Sequence, residues 1–149
     1  MARLMVGTVA AFALVVALGT NAQTQAWDQA KVTAAAAEFE SAVSGLREAV
    51  KQSSQWTISV NKAPLYQVLQ DLRQIEWLSQ SLHADLVKGE GLEATTPQYL
   101  QMVETRSYAK ADAMFVDIGA SIKPKLDASR AAFTKLTAFY PATPPKGSY

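Results

Sequence analysis

The sequence predicts an all-α protein, an antiparallel up-down four-helix bundle. Three features carry that expectation. Apolar residues recur at spacings of three, four or seven over several long stretches, proline and glycine cut the chain into pieces of bundle length, and no alternating apolar run is long enough to found a sheet. The chain has 149 residues, 49% hydrophobic and 18% charged, which is the size and balance of one ordinary domain. It divides into a signal peptide over 1–22, a helical-bundle domain over 23–140 and a proline-rich extended tail over 141–149.

Arg3 precedes a mainly apolar run from Leu4 to Leu18, and Gly19-Thr20-Asn21-Ala22 sets small residues three and one before a cut. This is the pattern of a secretory signal peptide, and the run is short of the roughly 20 residues that a bilayer-spanning helix needs. Cleavage is expected after Ala22, or after Ala26 as second choice; an uncleaved anchor or buried N-terminal helix is the alternative. The expected location is exported, periplasmic or secreted. Loss of Arg3 leaves a formally neutral chain, 13 basic side chains against 13 acidic, that folds without disulfides because it has no cysteine.

Helix one spans Trp27 to Ser54, with Val32, Ala36, Phe39, Val43, Leu46 and Val50 on one face. Its run Ala34-Ala35-Ala36-Ala37 has high helix propensity and little bulk, so a neighbour can approach closely. From Gln55 to Ala63, Trp56, Ile58 and Val60 alternate with polar residues too briefly for a sheet, and an ordered loop capping the bundle is expected. Pro64 suits the first turn of helix two, whose stripe of Leu65, Val68, Leu69, Leu72, Ile75, Leu82 and Leu86 runs to a stop at Lys88-Gly89. Thr96-Pro97 then reads as cap and first turn of helix three, with a stripe of Leu100, Val103, Ala111, Met114, Phe115 and Ile118.

Pro124 decides the topology. The stripe stays in phase across it through Ile122, Leu126, Phe133, Leu136 and Tyr140, as a three-helix bundle with its last helix kinked at Pro124 would show. A helix from Pro97 to Tyr140 would be about 66 Å long against roughly 40 Å for its neighbours, leaving its far half unpartnered. A break near Gly119 to Lys123 is preferred, with Ser121 as cap and Pro124 opening helix four.

Composition removes several chemistries. The near-neutral charge without a basic block disfavours nucleic acid and strong binding to a membrane surface after signal cleavage. The absence of cysteine removes thiolate metal sites and covalent haem, and with His83 the single histidine, two-histidine metal sites within one chain go too. No Glu-x-x-His pair or phosphate-cradling glycine pattern is present, so neither metal nor cofactor is expected.

Polar residues interrupt the stripe of helix two, where Glu76, Ser79 and His83 share the face of Leu72 and Leu86. They read either as a ligand pocket between helices or as groups paired within the bundle. Met114, expected to face the interior with Met102 outward, completes the candidate pocket and would serve with His83 as axial ligands to a b-type haem. On the outer face of helix two, Tyr66, Arg73 and Trp77 recur at i, i+7 and i+11 as a candidate interaction surface, with Tyr99 and Arg106 of helix three extending it. Arg73 and Trp77 lie one turn apart, within reach of a cation–π contact.

The string Asp117-Ile118-Gly119-Ala120-Ser121-Ile122-Lys123-Pro124-Lys125-Leu126-Asp127 resembles the haem-attachment region of cytochrome c-prime four-helix bundles over eleven residues. That family's two cysteines and histidine would stand at Ile122, Lys125 and Leu126, so the resemblance implies a bundle without the haem attachment. The spacing of Trp56, Pro64-Leu65 and Leu72-Arg73 is similar to the extrinsic PsbQ-type bundles of photosynthetic lumens, a likeness of fold only.

The expected function is that of an exported, non-enzymatic binding or protein-interaction module whose partner is another envelope or secreted protein, or a second copy of itself. The alternative is a carrier of a small apolar ligand or b-type haem around Glu76, Ser79, His83 and Met114. A lone His83 helped by Glu76 or Asp85 is too little to found an enzyme.

Overall fold

In a computed structural model of the chain, the described residues are 24–54, 56, 62–116 and 119–141. They form four helices and no strand: α1 (Gln29–Lys51), α2 (Ala63–Val87), α3 (Leu92–Ala113) and α4 (Lys123–Thr137). The expected signal peptide over 1–22, positions 55 and 57–61 of the expected capping loop, and residues 142–149 of the expected tail lie outside the described residues.

Local chemistry sets the helix ends. Asp28 caps α1 by accepting from the Lys31 amide at 3.1 Å. Beyond α2, Gly89 takes φ +92°, which lets the Gly89 amide donate to Leu86 and the Glu90 amide to Asp85, the paired bonds that satisfy a helix's last carbonyls. The Gln29 side-chain amide adds donors to the carbonyls of Leu86 and Glu90, tying the start of α1 to the end of α2.

The helices run up and down. α2 packs against both α1 and α3, and α1 also packs against α4. Opposed ends meet: Lys135 near the end of α4 pairs with Glu38 in the first half of α1, and Tyr140 beyond α4 reaches Thr95 near the start of α3. Lys125 at the start of α4 lies over Gly45 of α1.

The chain breaks before Pro124 and does not kink through it. α3 stops at Ala113, the chain turns through Met114–Val116 and again before Ile122, and Pro124 sits in the first turn of α4, where its missing N–H costs no helical bond. The N-cap position falls on Ile122, with no side-chain cap, so Ser121 does not cap the helix.

Two apolar clusters fill the interior. One joins the first half of α1, the second half of α2, the first half of α3 and the second half of α4, and it includes Phe39, Leu82, Tyr99, Met102, Phe133, Leu136 and Tyr140. The other, at the opposite end, gathers Leu46, Val50, Leu65, Val68, Leu72 and Ile122, with Trp56 packed against it. The expected core faces of α1 and α2 are those observed.

The register of α3 differs from the expectation. It begins at Leu92, five residues before Pro97, and buries Thr95, Tyr99, Met102 and Thr105. Met102 is 0% exposed and Met114 80%, the reverse of their expected orientations, while Leu100 and Phe115 are also exposed. The observed face is displaced by one residue, about 100° of rotation, from the expected stripe. Its residues are amphipathic rather than aliphatic and satisfy their own polar atoms: the Thr95 hydroxyl donates to the Gly91 carbonyl and that of Thr105 to Gln101.

Candidate functional site

Glu76, Ser79 and His83 come together on the seam between α1 and α2, each with a partner. Arg47 Nε of α1 stands 2.8 Å from Glu76 Oε2, an ion pair whose N–H does not point along the line of contact. Ser79 donates its hydroxyl to the Glu76 carbonyl at 2.8 Å. His83 Nδ1 lies 2.7 Å from Glu40 Oε2. These contacts close the seam. Met114 is not part of it: it projects into solvent beyond the last turn of α3, so the expected pairing of Met114 with His83 as interior ligands is not built.

Tyr66, Arg73 and Trp77 are all exposed on α2, Tyr66 at 58% and Trp77 at 63%. Arg73 and Trp77 line a shallow groove of about 380 Å³ with Gln67, Gln70, Asp71 and Gln74. Tyr66 meets Trp56 edge-on at 4.8 Å, while the Trp56 indole donates to the Val50 carbonyl. Arg73 and Trp77 do not stack; the cation–π contacts among the described residues belong to Arg106. Tyr99 and Arg106 do not extend this surface, since Tyr99 is buried against Tyr140 and Arg106 turns inward over Phe133.

A second carboxylate cluster joins α2 to α3. Asp71 is buried, accepts from Gln67 at 3.3 Å and faces Asp112. Burial, and then the neighbouring Asp112 carboxyl, push the Asp71 carboxyl above the ordinary aspartate range. Among the described residues, no group of three or more histidines and carboxylates is placed to hold a metal ion.

A larger concavity than this groove lies where α3 and α4 stand apart. It encloses about 800 Å³. Its floor is Phe39, Val43, Leu46 and Val50 of α1 with Val68, Leu72 and Ile75 of α2; its walls include Val103, Ala109 and Ala113 of α3 and Ile122, Leu126 and Ser129 of α4. Cationic residues edge it, Arg106 and Lys110 from α3 and Arg130 from α4, and Met114 stands at its rim.

Arg106 is the unusual member. Its guanidinium carbon sits 3.5 Å from the centre of the Phe133 ring and 6.0 Å from that of Phe39, and it forms no ion pair among the described residues. Burial foremost, partly opposed by Tyr99 and assisted by Arg130, lowers its pKa to about 10. Arg130 is held by Asp127 at 3.6 Å. The apolar pattern of the sequence puts Arg106 on the surface, yet Arg106 follows Tyr99 and Met102 by seven and four residues and so shares their face.

No helix among the described residues is long and apolar enough to cross a membrane. Comparison of the chain with family models, with curated proteins and with solved structures finds no match in any of the three.

Proposed function

We propose that the protein is an exported, non-enzymatic carrier that holds a small apolar ligand in the cavity between α3 and α4. The observation behind this reading is the cavity itself, whose volume of about 800 Å³ and mainly apolar walls match the usual dimensions of a small-molecule site. The ligand site therefore moves from Glu76, Ser79 and His83, which are engaged with one another and with α1, to the space floored by Val43, Leu46 and Leu72. Export rests on the pattern of Arg3, the run from Leu4 to Leu18 and the small residues before Ala22. Cleavage after Ala22 is favoured over Ala26, because the later cut would delete Gln25, whose amide donates to the Ala138 carbonyl at 2.6 Å.

Native mass spectrometry of the protein from its own source tests the reading, with masses compared before and after denaturation. The expected result is a small-molecule difference, together with a ligand-dependent rise in melting temperature; at a hundredfold excess over Kd a ligand stabilises by about 2.7 kcal/mol. A clean apoprotein whose melting is unmoved by a panel of apolar ligands would refute it.

A second reading has its own observation. Trp77 and Tyr66 are large side chains left exposed on one face of α2 beside Arg73, the residue types that anchor protein interfaces. A protein partner from the same envelope, or a second copy, would lose binding after Trp77→Ala and Arg73→Ala. Unchanged binding would remove this reading.

A further inference from the structure

Arg106 has a positive charge turned toward an apolar cavity and no anion to meet it. Its side chain is half-buried and none of its nitrogens is sealed off without a partner, so the five N–H donors of the guanidinium stay open to a ligand that enters the cavity. The Phe133 face at 3.5 Å compensates the charge in part but accepts none of those hydrogen bonds in their own plane. No aspartate or glutamate is among the described residues that line the cavity, while Lys110 one turn further along α3 and Arg130 across the opening add charge of the same sign. A low-dielectric cleft edged by one sign of charge concentrates the opposite sign.

We propose that this cavity takes a single-chain amphiphile with a carboxylate head, of the fatty-acid class. Its two oxygens meet the fork of Arg106, and its alkyl chain lies along Val43, Leu46 and Leu72 toward Ile122. This rests on the carrier reading above and names the ligand's chemistry. A planar guanidinium pairs two-for-two with a planar carboxylate. A dianionic phosphate head would draw on Lys110 as well as Arg106, since Arg130 already shares its charge with Asp127, and the phosphate arm of the test below separates the two head groups. The apolar residues below Arg106 are continuous from Phe39 to Val50, as an alkyl chain requires and a compact polar anion does not.

The test is calorimetric titration of the full exported protein, stripped of bound lipid, with dodecanoate, dodecanol and dodecyl phosphate at pH 7.5. Dodecanoate is expected to bind one to one and at least about tenfold more tightly than dodecanol, the worth of a charge-assisted hydrogen-bonded head. Arg106→Gln should erase that preference while leaving dodecanol affinity within about threefold, and Arg106→Lys should keep part of it. Equal affinity of the native protein for dodecanoate and dodecanol, or a preference that survives Arg106→Gln, would overturn the proposal while leaving the carrier reading intact. Tenfold tighter binding of dodecyl phosphate would overturn the carboxylate assignment. Binding of none of the three would defeat the carrier reading itself. Should Arg106→Gln fail to fold, the comparison of head groups on the native protein decides alone.

Discussion

The closed end of the bundle rests on a hydroxyl pair that a double-mutant cycle can measure. Tyr140, just beyond α4, donates its hydroxyl to Thr95 Oγ1 of α3 at 3.0 Å, and Thr95 in turn donates to the Gly91 carbonyl at 2.9 Å. Both side chains are buried, and the Tyr140 ring stacks on Tyr99 with centroids 4.0 Å apart. Tyr140→Phe keeps the stack and the volume and removes the donor. It should cost about 1 kcal/mol, since Thr95 still spends its own proton on Gly91. Thr95→Val should cost more, about 2 kcal/mol, because it strands the Tyr140 hydroxyl in an apolar site and loses the bond to Gly91 as well. The double variant removes both polar groups together and should fall about 1 kcal/mol short of the sum of the single costs. Urea unfolding followed by circular dichroism at 222 nm reads these values from midpoints at constant slope, and each 1 kcal/mol corresponds to a melting shift of roughly 4 °C. Additive costs, with a coupling under about 0.3 kcal/mol, would refute the idea that this pair ties α4 to α3.

The register of α3 is tested by its two methionines: Met102→Ala should cost about 2–4 kcal/mol and Met114→Ala less than about 0.5, and a reversed order would restore the aliphatic stripe as the buried face. For the ion pair between α1 and α2, Arg47→Met should destabilise by about 2–4 kcal/mol and Glu76→Gln by only about 1–2. The first change strands a carboxylate whose side chain is 10% exposed, and the second leaves an arginine that is 30% exposed and can turn to water. Asp71 predicts the pH response. Its carboxyl is raised in the folded state, so its stabilisation is fully present below the unfolded value and is lost as pH rises through the folded one. Asp71→Asn should therefore be more stable than the native protein at neutral pH, with the advantage shrinking on acidification toward the ordinary aspartate range. Unfolding free energies of both proteins between pH 3 and 8 check this, and an advantage that grows on acidification would show the sign to be wrong.

Helices α1 and α2 were legible because their cores are aliphatic and evenly spaced: Val32, Phe39, Val43, Leu46 and Val50 on one, Leu65, Val68, Leu72, Ile75, Leu82 and Leu86 on the other. On α3 the rule inverts. Its interior is Thr95, Tyr99, Met102 and Thr105 with Arg106 beside them, while Leu100, Met114 and Phe115 are exposed, so ranking residues by apolarity selects a face about one residue out of phase. The break before Pro124 was legible from length, because one continuous helix would outrun its partners. The polar row on α2 was also legible, but its partners were not. Arg47 and Glu40 stand on another helix, and a single helical wheel cannot report what faces it. The cavity was illegible for the same reason, being a property of how two helices separate rather than of any one stripe.

That separation follows from the lengths. At 1.5 Å per residue α1 runs about 34 Å and α4 only about 22 Å. The two are pinned at the closed end, where Lys135 meets Glu38 and Gln25, just before α1, donates its amide to the Ala138 carbonyl. Starting from there, α4 reaches back along α1 only to the level of Gly45, where Lys125 lies over the helix. Leu46 and Val50 continue past the start of α4, where Ile122 and Leu126 pack in the same cluster and all four line the cavity. Pro124 fixes where α4 begins, since a proline fits the first turn of a helix and is costly in its interior. The same proline that ends the ambiguity between three and four helices thereby leaves the apolar floor of α1 and α2 without a full-length lid. Removing it should not close the cavity, because the unpaired stretch of α1 would remain. A helix extended through the break between Ala113 and Lys123 would carry the chain past the end of α2 rather than back over Leu46. The opening belongs to the connectivity of the bundle, and Arg106 and Lys110 of α3 edge it.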